Sequence, residues 1–204
     1  MKLAKRVTNR TNIIAFKNSY HGSTRGALSV IGDEYWRNAF RPLLPGIQHL
    51  EYNSFEALGS ITGHTACVIV ETIQGEAGVI VPAKEWMQAL SRKRTEAGTL
   101  FIVDEIQAGF GRTGKLWGFE NFGIVPDILL LGKALRRHAS GAFIAERQLI
   151  DPPTVSVLGH ITTFGGHPVS VCSGAGGSEC VVRRRNDRQR RDKRRIVQEL
   201  TGSS

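Results

Sequence analysis

Lys133 sits in Leu131-Gly132-Lys133-Ala134-Leu135, between apolar neighbours at the end of an apolar run. Taking an amine out of water disfavours its charged form and frees it as a nucleophile for Schiff-base chemistry. Asp104, in Val103-Asp104-Glu105-Ile106-Gln107, closes a second apolar run and could hold a cationic group. Tyr20, in Ser19-Tyr20-His21-Gly22, offers an aromatic face just after a third. Thr162-Thr163-Phe164-Gly165-Gly166 sets hydroxyls beside glycines, a pairing suited to a phosphate. Each has a plainer reading. A strand-end acid usually caps a helix or joins an ion pair, a lone lysine snorkels, an aromatic packs in a core, and Thr/Gly sequence makes ordinary loops.

The elements that must position these residues are legible as apolar runs. Ile13–Phe16, Ala66–Val70, Leu100–Val103 and Ile128–Leu131 are continuous runs of four or five, which suits parallel strands covered on both faces. Between the second and third, Pro82 to Ala97 carries Trp86, Met87 and Leu90 at helical spacing, with Pro82 placed to open the helix and Gly98 to end it. Strand, helix, strand predicts βαβ units in a doubly wound α/β sheet. Ligands of such sheets sit beyond the carboxyl ends of the strands, where Glu71, Asp104 and Lys133 fall.

Composition removes several classes. Of 204 residues, 41% are hydrophobic and 22% charged, enough for a core. No apolar stretch reaches the length of a membrane span, and Met1–Arg6 lacks the apolar region of a secretory signal. Cys67, Cys172 and Cys180 suggest no disulfide framework and fit a reducing cytosol, so a cytoplasmic protein is expected. The net charge of +9 is concentrated in Arg183–Arg195, where nine basic and two acidic residues give +7 and leave +2 for everything else. A polybasic run can bind nucleic acid by counterion release. This one has no interleaved aromatics and no recognisable nucleic-acid fold, so nucleic acid is not the expected partner.

Taken together, the amine, the acid, the aromatic face and the phosphate donors suit pyridoxal phosphate, and no metal is called for. Order and spacing go further. Tyr20-His21-Gly22, Glu71-Thr72-Ile73-Gln74-Gly75-Glu76-Ala77-Gly78, Asp104 to Gly114, Pro126-Asp127-Ile128 and Gly132-Lys133-Ala134 resemble the class III aminotransferases, with the acetylornithine/ornithine group the most similar. The Asp104-to-Lys133 separation of 29 also fits. The resemblance runs from the first residue to about Ser170. It implies the large domain of fold-type I pyridoxal-phosphate enzymes and transamination between an amino acid and a 2-oxo acid. Lys133 would bind the cofactor and shuttle a proton, and Asp104 would pair with the pyridine nitrogen. Tyr20 and Ile106 would cover the two ring faces, and Gln107 would bond the ring hydroxyl. His21 and Glu71 would lie in the cofactor pocket and Glu76 on the substrate side. Thr163 would reach the phosphate of a neighbouring subunit, implying a homodimer. The same motifs would suit an ω-amino-acid aminotransferase or a 2,1-aminomutase.

The departures from the family set further expectations. Its phosphate-binding loop and its C-terminal small domain are not found in these residues. Arg136-Arg137-His138-Ala139-Ser140 stands where a Gly-Gly-Gly-Met-Pro turn is usual, as a one-base frame shift would produce. Residues 171–204 turn Gly/Ser-rich and then Arg-rich, as a second shift would produce, and are expected to be disordered. Residues 1–170 are then a partial cofactor-binding domain, inactive unless completed. The competing reading is a non-functional remnant of a disrupted gene.

Overall fold

A computed structural model describes residues 1–135 and 141–150 of the chain. Its elements run α1 (Lys2–Thr8), β1 (Asn12–Phe16), α2 (Arg25–Val30), α3 (Glu34–Arg37), β2 (Ile47–Leu50), β3 (Thr65–Glu71), α4 (Lys84–Glu96), β4 (Leu100–Asp104), β5 (Ile128–Leu131), β6 (Ala142–Ala145) and α5 (Arg147–Ile150). The strands form one sheet in the order β2-β1-β3-β4-β5-β6. The first five are mutually parallel, and β6 is antiparallel to β5.

All four expected strands form within a residue or so of their apolar runs. Their continuous hydrophobicity has the anticipated cause: side chains alternate between two covered faces. Ile14, Phe16, Val68, Val70, Phe101 and Val103 pack on one face with Trp86, Met87 and Leu90 of α4. Ile13, Ala15, Cys67, Ile69 and Ile102 pack on the other with Leu3 and Ala4 of α1. The Trp86 indole spends its only donor on the Ser54 carbonyl at 2.9 Å, so the largest core side chain leaves no polar atom unpaired.

Helix α4 corrects one boundary. Pro82 does not open it; Ala83 is the N-cap and the helix begins at Lys84. Gly98 does end it, with φ at +60°, the left-handed conformation that glycine adopts without strain. Glu85 in the first turn and Lys93 and Arg94 in the last complement the helix dipole. Arg94 also binds the Asp127 carboxylate at 2.6 Å, and the same Oδ2 accepts the Phe101 N–H at 2.7 Å. Asp127 thus ties α4 to the starts of β4 and β5. Strand β2 carries no continuous apolar run because it is the sheet edge and only Leu50 is buried.

No helix among the described residues is long and apolar enough to cross a membrane. Cys67 is a buried free thiol, its pKa pushed up to about 11 by burial. The Arg136–Ser140 turn, the domain boundary at 170 and the Arg-rich tail lie outside the described residues.

Candidate active site

Parallel register delivers the polar residues to one edge. Glu71 and Asp104 are direct partners at the ends of β3 and β4, and Asp104 also faces Leu130 of β5, three residues before Lys133. The segment after β1 then folds over this edge. His21 Nδ1 lies 2.8 Å from Asp104 Oδ2, and both side chains are almost wholly buried. The other Asp104 oxygen accepts the Ile106 N–H at 3.0 Å. His21 Nε2 is buried with no partner among the described residues. Tyr20, expected beside the site, leaves 37% of its surface exposed, which rules out simple core packing.

Lys133 departs from expectation. Its side chain is half exposed, where a desolvated amine between apolar neighbours was anticipated. Leu131 belongs to the strand and Ala134 follows Lys133 in a short 3-10 turn, and the amine is not enclosed. Nζ instead contacts the Gln107 Oε1 and lies 3.5 Å from Glu76 Oε1. Lys133 has φ at +34°, a conformation that strains a residue bearing a Cβ, as is common where a functional side chain is presented. Just before it, a Cβ on Gly132 would lie 3.1 Å from the Ile106 side chain, so glycine lets Ile106 lie against the strand end.

Two buried carboxyls flank Asp104. Glu71 is 5% exposed; its pKa is pushed up to about 7, chiefly by burial, with His21 and the Tyr20 N–H opposing. Glu105 is fully buried and binds the Gly118 and Phe119 N–H groups, each at 2.8 Å, and the Thr72 hydroxyl at 3.3 Å. Burial also pushes its pKa to about 7, against those three donors. A Cβ on Gly118 would come within 2.9 Å of the Glu105 carboxylate, so glycine is required there. The sequence alone assigns Glu105 no role. An acid inside an otherwise apolar strand end, followed thirteen residues on by a glycine, is the only signal it left.

The structure therefore gathers Tyr20, His21, Glu71, Glu76, Asp104, Ile106, Gln107 and Lys133 at one sheet edge; Thr163 lies outside the described residues. Beside Gln107, a cavity of about 350 Å³ is walled by Ile73, Val79, Val81 and Ala108, with Arg112 at its lining. The arrangement offers an accessible amine, a fixed carboxylate and an exposed aromatic ring, converging where an α/β sheet binds ligands.

Comparison with known proteins gives these features a family. The model for aminotransferase class III matches residues 1–199. The chain is 42% identical over 176 residues to a LysW-aminoadipate semialdehyde/glutamate semialdehyde transaminase of Sulfurisphaera tokodaii, covering 85% of this chain and 44% of that protein. It is 38% identical over 183 residues to an acetylornithine aminotransferase of Lactiplantibacillus plantarum, covering 89% and 46%. Among solved structures it matches ornithine aminotransferase from Toxoplasma gondii with a TM-score of 0.78 and 32% identity, over 89% of this chain and 44% of that one. An amine transaminase from an uncultivated Pseudomonas species, solved with PLP bound, matches with a TM-score of 0.80 and 25% identity over 88% and 49%. The chain thus spans less than half the length of these relatives, and it belongs to the pyridoxal-phosphate-dependent class III aminotransferases.

Proposed function

We propose that this chain supplies the cofactor-holding part of an aminotransferase site. The reaction would move an amino group from an amino acid such as ornithine or acetylornithine to 2-oxoglutarate. The observation that carries the reading is the convergence of His21-buttressed Asp104 with an accessible Lys133 at the carboxyl edge of parallel strands.

The residues suit the cofactor. Asp104 keeps a buried carboxylate whose two oxygens are already oriented by His21 and the Ile106 N–H, so it can hold a protonated ring nitrogen without rearranging. When bound, pyridoxal phosphate supplies an electron sink for the pair left on the substrate Cα as its proton departs. Lys133 would hold the cofactor through Nζ and carry that proton. Tyr20 and Ile106 would cover the ring faces, and Gln107, in contact with Nζ, would bond the ring hydroxyl. Glu76, 3.5 Å from Nζ, would serve the substrate side, and Glu71 holds the Tyr20 N–H. Thr163 of a second subunit completes the phosphate site in a homodimer, in the cytoplasm.

The test is capture. Borohydride reduction in the presence of pyridoxal phosphate, followed by peptide mapping, should label Lys133. In a protein completed to the length of its relatives, ornithine or acetylornithine should then compete with the label, and 2-oxoglutarate should restore it. Labelling at other lysines, unchanged in Lys133→Ala, overturns the assignment.

A further inference from the structure

Segment 17–21 decides whether Tyr20 and His21 reach the site, and the end of β3 and the loop after it reach across to hold it. Gln74 donates from Nε2 to the Lys17 carbonyl at 2.8 Å. Glu71 Oε2 accepts the Tyr20 N–H at 3.1 Å. From the opposite side, the Ser19 hydroxyl donates to the Val30 carbonyl at 3.2 Å, and the Ser19 carbonyl accepts the Gly32 N–H at 3.2 Å. The next residue is His21, locked on Asp104. Of these ties, the one adjacent to both Tyr20 and His21 is made by an ionisable side chain. Glu71 is itself fixed, because the Tyr52 hydroxyl donates to its backbone carbonyl at 3.0 Å and its strand register sets it beside Asp104.

We infer that Glu71 is a positioning residue: its carboxylate holds the Tyr20 N–H, setting the aromatic face of Tyr20 and the His21–Asp104 contact in place for the cofactor. The inference rests on the cofactor reading above and adds a residue whose action runs through two others. It also makes the segment sensitive to protonation, because an ionised carboxylate is the stronger acceptor. The charged groups facing Glu71 are His21 from the segment after β1, Asp104 from β4 and Glu76 from the loop after β3, with the Tyr52 hydroxyl from beyond β2. Burial pushes the Glu71 pKa up to about 7, so its charge changes around neutral pH. His21 favours the ionised form and the two acids oppose it.

Amide hydrogen exchange of the full chain, read residue by residue without cofactor, tests this. In Glu71→Ala the Tyr20 amide should exchange about tenfold faster, while the Val68 and Phe101 amides keep their protection. Glu71→Gln keeps an acceptor and loses the charge. Tyr20 protection, corrected for intrinsic exchange, should change across pH 6–8 in the wild type and stay flat in Glu71→Gln. Unchanged Tyr20 exchange in Glu71→Ala overturns the inference. So does an unaltered pH dependence in Glu71→Gln, which decides the matter even if the alanine variant unfolds. Because exchange needs no cofactor, these outcomes are separate from capture at Lys133. Failure of capture overturns the functional reading alone.

Discussion

His21 Nδ1 stands 2.8 Å from Asp104 Oδ2, with 2% and 4% of the two side chains exposed. A contact so far from water is consequential in both directions. Low local dielectric strengthens the bond, and it raises the cost of leaving either group alone. The Ile106 N–H takes the second Asp104 oxygen, so the carboxylate has one orientation and presents it before any ligand arrives.

Removing His21 should therefore cost stability as well as function. His21→Ala leaves one buried carboxylate oxygen without its donor, and the expected loss is about 1–3 kcal/mol. Urea unfolding of His21→Ala, Asp104→Asn and the double variant gives the coupling directly. A coupling energy near zero would make the pair a bystander. In a full-length, cofactor-loaded version, Asp104→Asn should keep binding but lose most transamination; near-normal turnover would contradict the pairing with the ring nitrogen.

Lys133 contacts Gln107 and lies near Glu76, so those two set where the amine points. Glu76→Gln should leave borohydride capture at Lys133 in place, because Gln107 still orients Nζ. Gln107→Ala should slow capture several-fold, measured by label incorporation over time. Equal rates in all three proteins would show that the amine needs no orienting.

Much of this site was legible because strand ends are legible. Four apolar runs located the carboxyl edge, and Glu71, Asp104 and Lys133 followed from it. What the runs did not carry was lateral. Nothing in Ser19-Tyr20-His21-Gly22 says that His21 turns toward a residue 83 positions away. The environment of Lys133 departs from expectation for a related reason: Lys133 stands past the end of β5, in a short 3-10 turn, where apolar neighbours in sequence do not bury Nζ. Strand β2 was missed because an edge strand needs only one buried residue. Glu105 was passed over because its partners, Gly118 and Phe119, follow a loop whose path no periodicity encodes.

Glu105 is the residue on which that loop depends. Its carboxylate satisfies two backbone donors and one hydroxyl in a fully buried position. Glu105→Gln replaces one acceptor oxygen with an NH₂ group facing an N–H donor, so a repulsive contact replaces a bond. The expected destabilisation is about 2–4 kcal/mol, one or two orphaned groups' worth. Urea unfolding measures it, and a loss below about 0.5 kcal/mol would mean the loop is held elsewhere.

The pH dependence of stability decides which force wins at the two buried acids. In the unfolded chain Glu71 and Glu105 ionise near 4.5, and in the fold both are pushed up to about 7. Between those values the folded protein retains protons that the unfolded chain has released. Stability should therefore fall as pH rises through this window, by up to about 1.4 kcal/mol per pH unit for each group, and level off above it. His49 works the other way. Burial and the Arg37 charge push its pKa down to about 4 from 6.5, so its contribution rises with pH until about 6.5 and offsets part of the decline. Comparing the wild type with Glu105→Gln removes the His49 effect, which both share. The variant cannot ionise at position 105, so its stability deficit should narrow as pH goes from 5 to 7. A deficit that stays flat would mean that the Gly118, Phe119 and Thr72 donors outweigh burial and that Glu105 is charged throughout.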